Sequence, residues 1–231
     1  RMTPGLYLFQ NFKTLLTTPT TSLWLALWNS LRTTTIQTLL SIFICSLAGY
    51  AFARIHFPGR DALFILCLSV LMIPSSFLIL PQYLTIQKMG LLNTLRAIFL
   101  PNLFSAFGTF LMRQFFMSIP QELEDAARID GCGHGRIFLQ IMLPLVKPGL
   151  VSLGVLTLRF AWNSLMWPMI VNTSPDKMTL AAGLSYLQGQ YLTDYPSIMA
   201  GALLSIIPLI IIYAIFQKQF IEGIALTGIK G

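Results

Sequence analysis

The sequence predicts an all-α integral membrane protein, and three observations lead there. Of its 231 residues, 55% are hydrophobic and only 10% charged, against about 25% charged in an ordinary soluble domain. The apolar residues gather in five runs, at about 24–53, 62–86, 95–117, 143–171 and 196–216, each of the order of the roughly 20 helical residues that cross a bilayer. One long polar interval, 118–142, separates the third run from the fourth. The chain is thus expected to form a single membrane domain over 1–231 with five visible spans.

In the first span, Ser41, Cys45, Gly49 and Ala53 recur every four residues. They make a stripe of small side chains of the kind through which membrane helices approach closely. The short turn Arg54 to Arg60 is basic, and Asp61 opens the second span, where Pro74 and Pro81 are expected to break the helix and free backbone carbonyls. The third span carries Pro101 near its start and Arg113 near its end. Pro144 and Pro148 bend the start of the fourth, and an outer loop, 172–194, has an apolar middle that is expected to fold back toward the interface. The fifth span repeats a small stripe at Ser197, Gly201 and Ser205.

The polar interval predicts a short helix of its own. Ser118 and Gln121 have capping-box spacing, Pro120 suits a first turn, and Glu122, Glu124 and Asp125 put negative charge at the favourable end of the helix dipole. Leu123, Ala126 and Ala127 share a narrow face, Glu124 and Arg128 form an i,i+4 pair, and Gly131 stands where a left-handed cap ends the helix. So short a helix is marginal alone in water. It needs a docking surface, and the two alanines would let one come close.

Charge fixes an orientation. The basic turn, the polar interval and the tail hold Arg54, Arg60, Arg113, Arg128, Arg136, Lys147, Lys218 and Lys230, whereas the opposite loops hold Lys88, Arg96 and Lys177. The positive-inside rule therefore puts the interval and the C-terminus in the cytoplasm. The net charge of +7 forms no basic run, so nucleic-acid binding is not supported. Cys45, Cys67 and Cys132, with His56 and His134, give no CxxC and no metal-ligand spacing.

Asp125-Ala126-Ala127, then Gly131, then Ile141, Leu143 and Pro144, resembles the EAA loop of the transmembrane subunits of binding-protein-dependent ABC importers, with Asp125 where Glu is more usual. Trp162-Asn163-Ser164-Leu165-Met166-Trp167-Pro168 resembles a signature late in the fourth span of the carbohydrate-uptake, maltose-transport-type permeases. Ser164 stands there where an acid is common. Thr179 to Gln190 with Met199-Ala200-Gly201, and Phe216-Gln217, Phe220, Gly223 and Ile229-Lys230-Gly231, resemble the outer loop, last helix and C-terminal ending of the same family. The resemblance implies a type I ABC importer fold and a sugar-like cargo. It also implies a second permease subunit, an extracytoplasmic solute-binding protein, and two ATPase subunits that carry the ATP and Mg, with no cofactor on this chain. It assigns ATPase coupling to Glu124, Asp125, Ala126, Ala127, Gly131, Ile141, Leu143 and Pro144. Such permeases have six membrane helices, so a first helix is expected to be missing ahead of residue 1.

Other classes fare worse. An ion-coupled secondary transporter needs a titratable group inside the membrane, yet Asp61, Glu122, Glu124, Asp125, Asp130, Asp176, Asp194 and Glu222 all fall in loops, flanks or the tail. A purely structural membrane subunit leaves the loop motif unexplained. No GxxxxGK[ST], no HExxH and no Ser/His/Asp set supports an enzyme, so ATP hydrolysis belongs to a partner. Arg159 lies near the middle of the fourth span, where a charge costs roughly 2.5 to 3.5 kcal/mol on insertion scales. With Trp162 and Asn163 it is a candidate for lining the translocation path; pairing of Arg159 with backbone carbonyls or a partner's acid is the competing reading.

Overall fold

The computed structural model describes residues 23–186 and 195–228, all of whose regular elements are helical. The segment 1–22, most of the outer loop's second half and the final Ile229-Lys230-Gly231 lie outside the described residues, as do the side chains of Ser197, Phe216, Gln217 and Phe220.

Helix α1, Leu23–Arg54, is the one uninterrupted helix among the described residues that is long and apolar enough to cross a membrane. The other candidate crossings are broken. Arg60–Met72 pairs with Ser75–Lys88, Leu95–Asn102 with Ala106–Met117, and His134–Leu145 with Lys147–Trp162; counting each pair as one span gives up to 4. The apolar stretch Ile198–Ala214 is shorter and belongs to a final helix, Tyr195–Gly228.

Each break has a local cause. Helix α2, Arg60–Ser69, runs into a 3-10 turn, Val70–Met72, and stops at Ile73, which is extended (φ −86, ψ 119) because it precedes Pro74. Helix α3, Ser75–Lys88, then restarts the chain. Pro81 does not break it, contrary to expectation. It sits inside α3, with the Thr85 hydroxyl donating to its carbonyl at 2.8 Å. The expected continuous third span is likewise divided. Helix α4, Leu95–Phe99, is capped by Thr94 and ends in a 3-10 turn at Leu100–Asn102, and helix α5, Ala106–Met117, is capped by Ser105 accepting from the Gly108 N–H at 3.0 Å.

After the polar helix α6, Glu122–Ile129, the chain forms α7, His134–Ile137, a π-helical turn at Phe138–Met142 and α8, Leu143–Leu145. In place of one span over 143–171 there follow α9, Lys147–Trp162, and a separate short α10, Met166–Val171. Helix α11, Leu180–Tyr186, and α12, Tyr195–Gly228, complete the order.

The helices sort into two compact units. One gathers the described residues of Arg1–Gln37, Leu78–Pro101 and Leu158–Ile215; the other those of Thr38–Phe77, Asn102–Thr157 and Phe216–Gly231. In the first, Asn29 and Ser30 of α1 are buried and tie down the outer loop. The Asn29 amide donates to the carbonyls of Asp176 (2.9 Å) and Met178 (3.0 Å), and the Ser30 hydroxyl accepts from the Leu180 N–H (2.7 Å). Leu180 and Ala182 are buried in consequence. The second unit holds the main apolar core, built on Cys45, Tyr50, Met112, Phe116, Phe138 and Met142. Its helices touch through the small stripe. A Cβ on Gly49 would lie 2.7 Å from the Met112 Cβ and 2.9 Å from the Arg113 backbone nitrogen, so only glycine admits α5 at this distance from α1.

Candidate functional site

The polar interval in the second unit is positioned by an aromatic cluster beneath it. Tyr50 near the end of α1 meets Phe116 of α5 (centroids 5.6 Å apart) and Phe138 of the π turn (5.2 Å), and Phe116 meets Phe138 at 6.1 Å. Above this cluster lies Glu124, only 2% exposed. Its carboxylate accepts from the Tyr50 hydroxyl at 3.3 Å and the Arg128 guanidinium at 2.8 Å, and its second oxygen stands 3.9 Å from Nε of Arg54. Arg54 in turn donates through Nη2 to the carbonyls of Phe116 (2.6 Å) and Ile119. One buried carboxylate thus joins α6 to α1, and one guanidinium joins α1 to the end of α5.

Helix α6 is shorter than its sequence signals suggest. The capping box does not form: Ser118 closes α5 instead, its N–H bonded to Gln114 and Phe115 carbonyls and its hydroxyl donating to Phe115 at 2.8 Å, while Gln121 makes no side-chain cap. The far end follows expectation in detail. Gly131 has φ +78, its N–H reaches the Arg128 carbonyl, and the Cys132 N–H reaches that of Ala127, the paired bonds of a Schellman ending.

The two faces of α6 divide the candidate residues. Glu124 and Ala127 turn inward, Ala127 into the core of the chain itself. Asp125, Ala126 and Gly131 are exposed. The expected Leu123-Ala126-Ala127 face is therefore split, because the buried Glu124 sets the helix's rotation and Ala127 lies one turn along the same side. The outward face keeps Leu123 (45% exposed) and adds one apolar residue that spacing alone had not singled out, Ile129 (87%). Ile141 and Leu143 pack against the core under the loop, and Pro144 is exposed. Tyr50 and Arg54 were missed as site residues. Their i,i+4 spacing at the last turn of the first span, facing a polar interval, was the available signal.

The other candidates separate in the same way. Trp162 is buried, its indole N–H donating to the Ser205 carbonyl at 3.0 Å, so within this chain it packs the first unit. Arg159 and Asn163 are exposed, and the Asn163 amide donates to the Arg159 carbonyl at 2.9 Å, closing the end of α9. Trp167 is held by the Ala97 carbonyl at 2.9 Å. Among the described residues no group of His, Cys, Asp and Glu could hold a metal ion.

An eight-residue helix clamped to the ends of two longer ones, with an exposed apolar and acidic face, can transmit a push; it offers no nucleophile and base for catalysis. Comparison with known proteins gives this arrangement its context. Residues 41–225 match the model of the family described as binding-protein-dependent transport system inner membrane component. The chain belongs to this family. As a permease it is a transport component of an ABC importer, not an enzyme, and works in a membrane complex with ATPase and solute-binding partners.

The permease is 39% identical over 208 residues to the arabinooligosaccharides transport system permease protein AraQ of Halalkalibacterium halodurans, covering 90% of this chain and 75% of that one. It is 34% identical over 199 residues to the lactose transport system permease protein LacG of Rhizobium radiobacter (86% and 73% covered). To the sn-glycerol-3-phosphate permease UgpE of Shigella flexneri it is 34% identical over 227 residues (96% and 81%). Among solved structures it is similar to a chain of a bacterial ABC transporter that imports the acidic polysaccharide alginate, at 24% identity and a TM-score of 0.83 over 92% of this chain and 79% of that one. A chain of the MetNI methionine transporter aligns at 16% identity and a TM-score of 0.62, covering 86% and 94%. The fold is that of the type I importer permeases.

Proposed function

We propose that this permease subunit moves a sugar or related carbohydrate inward across the cytoplasmic membrane and that α6 is its coupling helix, lying on the cytoplasmic side with the C-terminus. The observation that carries the reading is the split helix. Glu124 and Ala127 fix α6 to the permease's own core, leaving Leu123, Asp125, Ala126 and Ile129 as a small, mostly apolar face for a cleft on the ATPase. Gly131, Ile141, Leu143 and Pro144 then set the turn and seat the loop, so that a push on α6 is passed through Tyr50 and Arg54 into α1 and α5. The relatives' cargoes, arabinooligosaccharides, lactose and glycerol phosphate, support a hydroxyl-rich cargo. The proposed complex adds a second permease subunit, two ATPases that bind ATP and Mg, and one solute-binding protein. The exposed Arg159 and Asn163 are proposed to face the cargo path.

The test is a cross-link. Ile129→Cys, in a background with Cys45, Cys67 and Cys132 replaced, is expected to join the co-purified ATPase through a short bifunctional reagent, and the ligand of the co-purified binding protein identifies the cargo. An Ile129→Cys variant that transports normally but cross-links only to lipid or to the binding protein would reject the assignment.

A further inference from the structure

We propose that a groove along α2 binds an anionic phospholipid, one acyl chain lying on Phe52, Leu63, Leu66, Val70 and Phe104 and the phosphate resting between Arg60 and Arg113. The inference needs only that these helices sit in a bilayer, so it stands or falls apart from the cargo and the coupling partner.

Two recesses lie along the same helix. The first, of about 510 Å³, is lined by the five apolar residues just named together with Cys67 and Ala106. The second, of about 330 Å³, is bounded by His56, Phe57 and the start of α2 at Arg60 and Asp61. Phe52 lines one and Phe57 the other, with ring centroids 6.2 Å apart, so an apolar recess neighbours one that carries charged side chains. That is the order of chemistry in a phospholipid.

Two cations are held in place beside these recesses: Arg60 lines the second, and Arg113 reaches Phe52, which lines the first. Arg113 donates from Nε to the Phe52 carbonyl at 3.2 Å and lies over the Phe64 ring with its guanidinium carbon 4.3 Å from the centroid. Among the described residues no acceptor is bonded to its Nη atoms, which are the fork that suits a phosphate. Arg60 is bonded to Asp61 at 2.9 Å, and Arg113 and His56 are both near enough to act on the Asp61 carboxylate. Two guanidiniums against one carboxylate leave a single positive charge. A phosphodiester headgroup with one negative charge, such as phosphatidylglycerol, balances it; a zwitterionic headgroup does not. Arg54 is not available to a lipid, because Glu124 and the Phe116 and Ile119 carbonyls already engage it. A basic pocket between spanning helices is the established setting for such headgroups.

The experiment uses the assembled transporter in phosphatidylcholine nanodiscs containing a minor fraction of phosphatidylglycerol that carries a photoactivatable acyl chain. Adducts are expected on residues 52–70 and 104–106, competed by unlabelled phosphatidylglycerol and not by phosphatidylcholine or phosphatidylethanolamine. Arg60→Gln is expected to lower adduct yield about five-fold. Leu66→Trp, at an exposed position, should fill the groove and lower the yield without affecting assembly, which keeps the test decisive if Arg113→Gln fails to fold. Labelling spread evenly over all lipid-facing positions, equal competition by the zwitterionic lipids, or no labelling because another protein segment covers the groove would each overturn the proposal.

Discussion

Removing the Glu124 carboxylate should undock α6, the proposed coupling helix, and the size of the effect follows from what each partner keeps. In Glu124→Ala, Arg128 is 45% exposed and finds water, so that pair contributes only about 0.5 kcal/mol. Tyr50 loses the acceptor for a buried hydroxyl, a loss of about 1 kcal/mol or more. Arg54, 8% exposed, loses its carboxylate partner but retains the Phe116 and Ile119 carbonyls. One-sided removal of a buried ion pair costs about 3–5 kcal/mol; with those carbonyls retained, the total falls near the lower end, about 3 kcal/mol. At 1.36 kcal/mol per decade that is about a hundred-fold rise in the undocked fraction of α6. An eight-residue helix cannot persist undocked in water. Hydrogen exchange on the peptide 122–132, in the assembled transporter, should therefore show about a hundred-fold loss of amide protection, with ATP hydrolysis continuing while transport falls. Glu124→Gln, which keeps an acceptor for Tyr50, should show a smaller loss. Protection within about three-fold of the parent in Glu124→Ala, together with normal transport, would refute the anchoring role.

Further outcomes follow from other contacts. Gly49→Ala should destabilise the solubilised permease by about 1–3 kcal/mol, read as a lower melting temperature, because the new Cβ meets Met112 and the Arg113 backbone at under 3 Å. Asn29→Ala leaves the Asp176 and Met178 carbonyls without their donor and should raise protease sensitivity at the outer loop, at a cost of about 1–3 kcal/mol, while α6 keeps its exchange protection. Arg159→Gln should weaken cargo affinity with the complex still assembled; lost assembly with unchanged cargo affinity would remove Arg159 from the path.

Much of this was legible in the chain. The apolar runs marked the apolar helices, since hydrocarbon forces backbone polar groups into helices, and Gly131 announced a left-handed ending that a side chain would strain. The four-residue stripe at Ser41, Cys45, Gly49 and Ala53 marked the closely packed face of α1. Breaks were read less well, because a proline's effect depends on its neighbours: Pro74 stops a helix and Pro81, seven residues on, does not. Ser118 shows the same limit, since its spacing suited the start of one helix and the structure used it to finish another.

The sequence by itself determined the family, the membrane character and the presence of a short polar helix between the third and fourth apolar runs. These depend on composition and local spacing, which a linear chain carries in full. The tertiary structure alone decided which way that helix faces. The choice rests on Tyr50 and Arg54, about seventy residues away in the chain, whose hydroxyl and guanidinium give a buried Glu124 its partners. A carboxylate with such partners can be buried and one without them cannot, so a distant pair of side chains turned Glu124 and Ala127 inward and left Asp125, Ala126 and Ile129 exposed.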